Sequence, residues 1–251
     1  MTKFLGVDLS WSMEPNPKSS GICLMDEEGK VEELTLAGSD EEIIKIAKEH
    51  EVDYIGIDAP LKIPNEEGSR PVERELARRG RPAYPANRKF FNKHYGGIRG
   101  ERLVEKFEEE EYPFIERTRD DKKGIIEVYP NPTIKALLGE IPKYKNVRKK
   151  KVKKGIKEIW RKLQKEKLPV KINIDGFKEL ITEEKIKKVT SKDLKRKGDL
   201  LDSFFCSYVL LLDYKEISSV EVIGNKEEGY ILTLIENNKK ITEFTNQDKK
   251  K

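Results

Sequence analysis

The sequence predicts an α/β fold on a mixed sheet, with antiparallel strands first and parallel strands later. Three observations predict it. Lys3–Leu9 and Asp53–Asp58 are apolar runs of strand length, and each presents an aspartate, Asp8 and Asp58, at its carboxyl end. Between them lie two further apolar runs, Gly21–Met25 and Val31–Leu36, joined by the turn signal Asp26-Glu27-Glu28-Gly29. Late in the chain, Leu200, Leu201, Phe204, Phe205, Tyr208, Val209 and Leu212 form a wide apolar stripe at helical spacing.

The elements follow in order. After the hairpin, Ser39 or Asp40 caps a helix through about His50, with Ile43, Ile44 and Ala47 inward. The Pro- and Arg-rich stretch Pro60–Pro85 encloses a short helix, Pro71–Arg79, stopped by Gly80. A helix from about Arg99 to Glu110 precedes the fifth strand, Gly124–Tyr129, which Pro130 ends. Asn131 is expected to cap the next helix, with Pro132 at its first position, as far as about Gly139. A basic helix near Val147–Glu166 and a polar connection lead to the final helix, Asp199–Tyr214. Strands at Ser219–Ile223, Tyr230–Ile235 and Lys240–Phe244 finish the chain before a charged tail. No linker or long-period repeat divides the sequence. Residues 1–251 therefore read as one domain with a basic helical insertion at 143–198 and additional strands at about 219–244.

Composition narrows the function. Of 251 residues 36% are hydrophobic and 39% charged, against about 45–50% and about 25% in ordinary globular domains. Disorder is excluded because the apolar residues cluster in periodic runs. The scarcity of glutamine, confined to Gln164 and Gln247, resembles proteins from hot environments. No signal-peptide pattern opens the chain, and the longest apolar stretch, Tyr208–Leu212, is far short of the ~20 residues of a membrane span. A soluble cytoplasmic protein is expected. Two cysteines, Cys23 and Cys206, and two histidines, His50 and His94, leave little for zinc or Ser-His-Asp chemistry. Catalysis, if present, runs on carboxylates.

Charge is unevenly placed. Asp26–Asp58 holds 12 acidic and 3 basic residues, Lys143–Lys167 holds 13 basic and 2 acidic, and Arg70–Arg102 holds 10 basic and 3 acidic. Two concentrated positive stretches beside an acidic remainder point to a polyanion partner, DNA or RNA. A solvated, ion-paired surface is the alternative. On a helix, Arg70, Arg74 and Arg78 would form one guanidinium stripe suited to phosphates, with Tyr84, Phe90, Phe91 and Tyr95 either stacking on unpaired bases or forming a small satellite core.

The carboxylates form a pattern. Phe4-Leu5-Gly6-Val7-Asp8 and Tyr54-Ile55-Gly56-Ile57-Asp58 share aromatic, aliphatic, glycine, aliphatic, aspartate. If the strands are parallel neighbours about 4.8 Å apart, both carboxylates reach one cation. Glu127 on the fifth strand, and Asp199 and Asp202 at i, i+3 on the last helix, complete a candidate catalytic set. Turn or helix capping is the competing account of each aspartate, especially of Asp199 in a first helical turn. An oxygen-only group suits Mg²⁺ or Mn²⁺, held by Asp8, Asp58, Asp199 and Asp202, and two such ions about 3.5–4 Å apart can cleave a phosphodiester.

The order strand-Asp, hairpin, helix, strand-Asp and a late helix with paired aspartates resembles the ribonuclease H-like fold, nearest its Holliday-junction-resolvase branch. More closely, Gly6-Val7-Asp8-Leu9, Ile57-Asp58-Ala59-Pro60-Leu61, Arg70-Pro71-Val72-Glu73-Arg74-Glu75-Leu76, Glu127-Val128-Tyr129-Pro130 and Gly198-Asp199-Leu200-Leu201-Asp202 resemble an uncharacterised family of predicted nucleases, the domain-of-unknown-function 429 type. The likeness spans about residues 3–213. It implies a metal-dependent nuclease. Lys150–Arg161 also resembles that family's Lys-rich, Gly-then-Arg helix, and the concentrated positive charge of Lys143–Lys167 makes Lys150, Lys151, Lys154 and Arg161 the expected phosphate contacts. The same superfold carries ATP-dependent kinases and ATPases, but the connection Ser10–Ser20 has no phosphate-cradling glycine. A non-catalytic nucleic-acid- or partner-binding protein is the remaining alternative. Dimerisation, typical of junction resolvases, is not readable from the sequence.

Overall fold

The computed structural model describes residues 1–13, 19–165, 168–173 and 190–235. Its main sheet contains β1 (Lys3–Asp8), β2 (Ser20–Asp26), β3 (Val31–Ala37), β4 (Tyr54–Ile57) and β5 (Gly124–Glu127), in the order β3-β2-β1-β4-β5. β1 pairs antiparallel with β2 and β2 with β3, whereas β1–β4 and β4–β5 are parallel. The mixed sheet expected from the sequence is thus present. Asp26 closes the first hairpin as a turn residue should, its Oδ1 accepting from the backbone N–H of Glu28 and Lys30 while Gly29 takes φ 77°.

Strand periodicity sorts the core. Leu5, Val7, Ile55 and Ile57 face one side and are covered by α1 (Asp40–Glu49) and α4 (Arg99–Glu109) through Ile43, Ala47, Leu103 and Phe107. Phe4 and Tyr54 face the other side, where α5 (Pro130–Leu138), α6 (Lys149–Lys165) and α7 (Ser191–Tyr214) pack. Because side chains alternate, Asp8 and Asp58 belong to this second face.

Several boundaries depart from expectation. α7 starts eight residues before Asp199, with Thr190 as N-cap in a reciprocal capping box with Asp193. Asp199 and Asp202 therefore lie more than two turns inside the helix, and first-turn capping no longer accounts for them. Asn131 does not cap α5: Tyr129 is the N-cap, Pro130 the first helical residue, and Asn131 donates to the Tyr129 hydroxyl. Between α2 (Pro71–Arg78) and α4 the chain forms an extra helix, α3 (Arg88–Tyr95), capped by Asn87 and closed by Gly96. Phe91 is buried there with Ile63, Ala86 and Ile98, and Phe90 and Tyr95 pack around it as a satellite core.

The C-terminal strands β6 (Val220–Asn225) and β7 (Gly229–Leu234) form their own hairpin, not an extension of the sheet, with Ile223 and Ile231 on Val72 and Leu76 of α2. The expected strand at 240–244 lies outside the described residues. Among the described residues no helix is long and apolar enough to cross a membrane.

Candidate metal centre

Three glycines bring α7 onto the strand ends. A Cβ on Gly6 would strike the Ser203 carbonyl and the Ser207 amide, one on Gly21 the Asp199 carbonyl, and one on Gly56 the Leu210 side chain. With glycine on three adjacent strands, α7 lies directly on the sheet. Asp202 is thereby carried over the ends of β1 and β4, while the Asp58 backbone N–H donates to Val7 O at 2.8 Å and levels the two strand-end aspartates.

Asp8, Asp58 and Asp202 each offer a carboxylate oxygen, and these atoms lie within 4.8 Å of one another. Asp199, one turn away, is also buried and meets Lys145 at 3.1 Å and Lys195 at 3.5 Å, but stands outside that tight group. The i, i+3 face expected from the sequence is real. Glu127 joins a different group. Both of its oxygens are taken by the Arg70 guanidinium, at 3.0 and 2.6 Å, and Oε2 also accepts from the Leu61 N–H.

Arg70 itself is a correction. It is not the first member of an exposed stripe but a residue 1% exposed, tied to Glu73, Glu127 and the Lys62 carbonyl. The cause is Pro71, which keeps the preceding residue out of helical geometry, so Arg70 (φ −61°, ψ 159°) turns inward as the N-cap of α2. It cannot touch a phosphate. Arg74 and Arg78 are exposed, Arg78 pairing with Glu75 at 3.3 Å. On α6, Lys150, Lys151, Lys154 and Arg161 are exposed, while Val152, Ile156, Ile159 and Leu163 face the core.

The sequence reading missed Lys145 and Tyr144. Lys145 Nζ lies 2.6 Å from Asp8 Oδ2 and also bonds Asp202 Oδ2 and Asp199, and the Tyr144 hydroxyl donates to Asp202 Oδ1. Two more glycines thread this segment between helices. A Cβ on Gly155 of α6 would meet the backbone of Lys143 and Tyr144, and one on Gly198 of α7 would meet the Lys145 stem. The only local signals were Gly155 and Gly198 themselves, bare positions in otherwise side-chain-rich helices.

Electrostatics follow from one ammonium shared among several acids. Burial pushes the Asp8 carboxyl up to about 7, with Lys145 opposing and Asp202 and Asp199 reinforcing the rise. Burial, then Asp8 and Asp202, hold Asp58 well above the usual carboxylate range. Lys145 moves the other way from what its burial favours, because Asp202, Asp8 and Asp199 keep it firmly protonated. One ammonium serves three aspartates and leaves part of their charge unbalanced.

The group floors a cleft of about 570 Å³ whose lining includes Lys143, Lys145 and Lys195, and Trp11, Tyr84, Tyr95 and Tyr129. A side pocket of about 340 Å³ adds Val147, Lys149 and Ser191. This is a negatively charged floor with lysines and aromatic rings around it. Residues 6–210 match the model of a family described as a protein of unknown function, DUF429. No curated protein and no solved structure matches the chain.

Proposed function

This chain belongs to the DUF429 family, and from that premise we propose that it is a divalent-metal-dependent nuclease hydrolysing phosphodiester bonds of DNA or RNA. One observation carries the reading: Asp8, Asp58 and Asp202, from two parallel strands and one helix, present oxygens within 4.8 Å of one another at the floor of an open cleft. Supporting it is the sheet order, with β1 central, β2 antiparallel and β4 parallel, which agrees with the ribonuclease H-like resemblance.

The donor set fits a hard cation. All of its ligands are carboxylate oxygens, and burial, reinforced by the neighbouring carboxylates, raises Asp8 and Asp58. Asp8, Asp58 and Asp202 would hold Mg²⁺ or Mn²⁺, with Asp199 at the margin. Such an ion supplies a more acidic water and neutralises charge developing on the phosphate. The chain's own groups do the rest. Tyr144 fixes the Asp202 carboxylate by its hydrogen bond, and Lys143 and Lys195 draw the phosphate backbone into the cleft. Arg70 holds Glu127, which lines a recess together with Asp58, so Glu127 supports the site and does not bind the ion itself.

Lys145 favours a second reading. Its ion pairs with Asp8, Asp199 and Asp202 also suit a structural hub in a non-catalytic nucleic-acid- or partner-binding protein. Thermal unfolding of wild type, Asp8→Asn and Asp58→Asn, in chelator and in millimolar Mn²⁺, separates the two when paired with cleavage of labelled DNA and RNA panels. The nuclease reading expects Mn²⁺ to raise the wild-type Tm, and both variants to lose most of that shift together with cleavage. The hub reading expects no metal response, with both variants less stable in chelator.

A further inference from the structure

We infer that the cleft takes an unpaired nucleotide beside the scissile phosphate, and that Tyr84 is the platform on which its base stacks. This inference rests on the nuclease reading and narrows its substrate to single-stranded, flapped or otherwise locally unpaired nucleic acid. Among the described residues the exposed large hydrophobic side chains are Met1, Tyr84, Ile141, Val147 and Tyr214. Three of these five, Tyr84, Ile141 and Val147, line the cleft or its side pocket, so apolar exposure concentrates where a ligand would lie.

Tyr84 is the most exposed of the three, at 77%, although its loop is held firmly on both sides. The Tyr129 hydroxyl donates to Pro82 O at 3.0 Å. Beyond the ring, Asn65 donates to the buried Ala86 carbonyl at 3.0 Å. Pro82 and Pro85 restrict the backbone on either side. A ring free to choose would lie against the protein and bury its face; this one is presented by a fixed scaffold. It also lines, with Asp58, a recess beside the cleft, so the ring and one of the carboxylates border the same space. Of the other aromatics that the sequence offered for stacking, Phe91 is buried in the satellite core and Phe90 and Tyr95 pack against it, Tyr95 also lining the cleft, so Tyr84 is the exposed ring of the four.

The chemistry selects the substrate. Stacking on a side chain requires a base whose face is uncovered, and inside a duplex both faces are covered by neighbouring pairs. A platform adjacent to the cleavage centre therefore works only on a base already unpaired or one drawn out of its stack.

The test is anisotropy of a fluorescein-labelled single-stranded oligonucleotide and of its full duplex, with Ca²⁺ present, for wild type, Tyr84→Ala and Tyr84→Trp. A parallel single strand carries 2-aminopurine, whose emission falls on stacking. Tyr84→Ala is expected to weaken single-strand binding about 5- to 150-fold, the span of about 1–3 kcal/mol per stacked base, and to abolish the quenching. Duplex binding should be unchanged, and Tyr84→Trp should retain both single-strand signals. Equal losses on single strand and duplex, or no loss on either, overturn the inference while leaving the nuclease reading standing. If wild type binds neither probe, the nuclease reading falls and this inference with it.

Discussion

Lys145 Nζ lies 2.6 Å from Asp8 Oδ2, joining the segment after α5 to the end of the first strand. The same ammonium reaches Asp199 and Asp202, so it sits among the carboxylates a divalent ion would use. An internal cation and an external one then compete. Lys145→Gln should raise Mn²⁺ affinity in calorimetric titration, because it removes the competing charge. In chelator it should cost about 1.5–3 kcal/mol, as expected for hydrogen bonds between charged groups. A loss of Mn²⁺ affinity in this variant would show that Lys145 assists the ion.

Acid–base behaviour gives a second expectation. Unfolded, Asp8 releases its proton near the ordinary 3.8; folded, burial holds it to about 7. The folded state therefore binds the extra proton between these values. Its stabilisation is complete below about pH 4 and is lost as pH rises through about 7. In chelator, Tm should fall from about pH 5 to about pH 8, and Asp8→Asn should flatten that slope. Mn²⁺ should protect most at the alkaline end, where the carboxylates are ionised. A chelator profile that rises over this range would mean that Lys145 alone balances the cluster.

How much of this was legible depended on whether the cause was local. Asp8 and Asp58 could be read because each ends an apolar strand in the same five-residue pattern, and Asp202 because it shares a helical face with Asp199. The reason for the glycine in that pattern was not legible, since Ser203 and Ser207, which a Cβ on Gly6 would meet, lie about two hundred residues away. Lys145 looked like any other lysine in a basic run; only Gly155 and Gly198, each in contact with residues 143–145, set it apart. Arg70 misled through its i, i+4 spacing with Arg74, although Pro71 was a sufficient reason to exclude it from the helix. The early start of α7 was signalled by Thr190 and Asp193 but masked by its lysine-rich first turns.

The glycines give paired expectations. Gly6→Ala forces a Cβ into the Ser203 and Ser207 backbone, which cannot move without lifting α7, and should cost about 1–3 kcal/mol or more in urea unfolding. Gly198→Ala meets only the flexible Lys145 side chain. Its steric cost is offset by helix propensity, about 1 kcal/mol in favour of alanine, so stability should barely change. Its metal response should resemble that of Lys145→Gln, because the Lys145 stem is displaced. Equal destabilisation by both substitutions would mean that α7 yields at neither place.

Arg70 separates structure from binding. Arg70→Ala leaves Glu73 and Glu127 buried without their cation, and should cost about 3–5 kcal/mol. Arg70→Lys keeps the charge but loses the fork that engages both Glu127 oxygens, and should fall between. The check is urea unfolding of both variants. A stable Arg70→Ala protein with weaker nucleic-acid binding would return Arg70 to the phosphate-contacting surface.

The basic helix α6 carries the last expectation. Its apolar residues Val152, Ile156, Ile159 and Leu163 face the core, which turns Lys150, Lys151 and Lys154 to solvent without a role in packing. Not every basic side chain here is available: Lys162 is bound to Leu138 O at 2.7 Å and Glu140 at 3.1 Å. Replacing Lys150, Lys151 and Lys154 together with glutamine should leave the unfolding free energy within about 1 kcal/mol of wild type, as for surface substitutions. If these lysines contact phosphates, binding to duplexes of any sequence weakens, because phosphate contacts carry no base information. The slope of log K against log salt should flatten by about 0.9 for each lost contact, or about 2.7 for three, while the metal-induced Tm shift stays intact. Binding titrations at several salt concentrations read this directly. A slope unchanged from wild type would remove α6 from the interface and leave Lys143 and Lys195 of the cleft, with exposed Arg74 and Arg78, as the cationic surface.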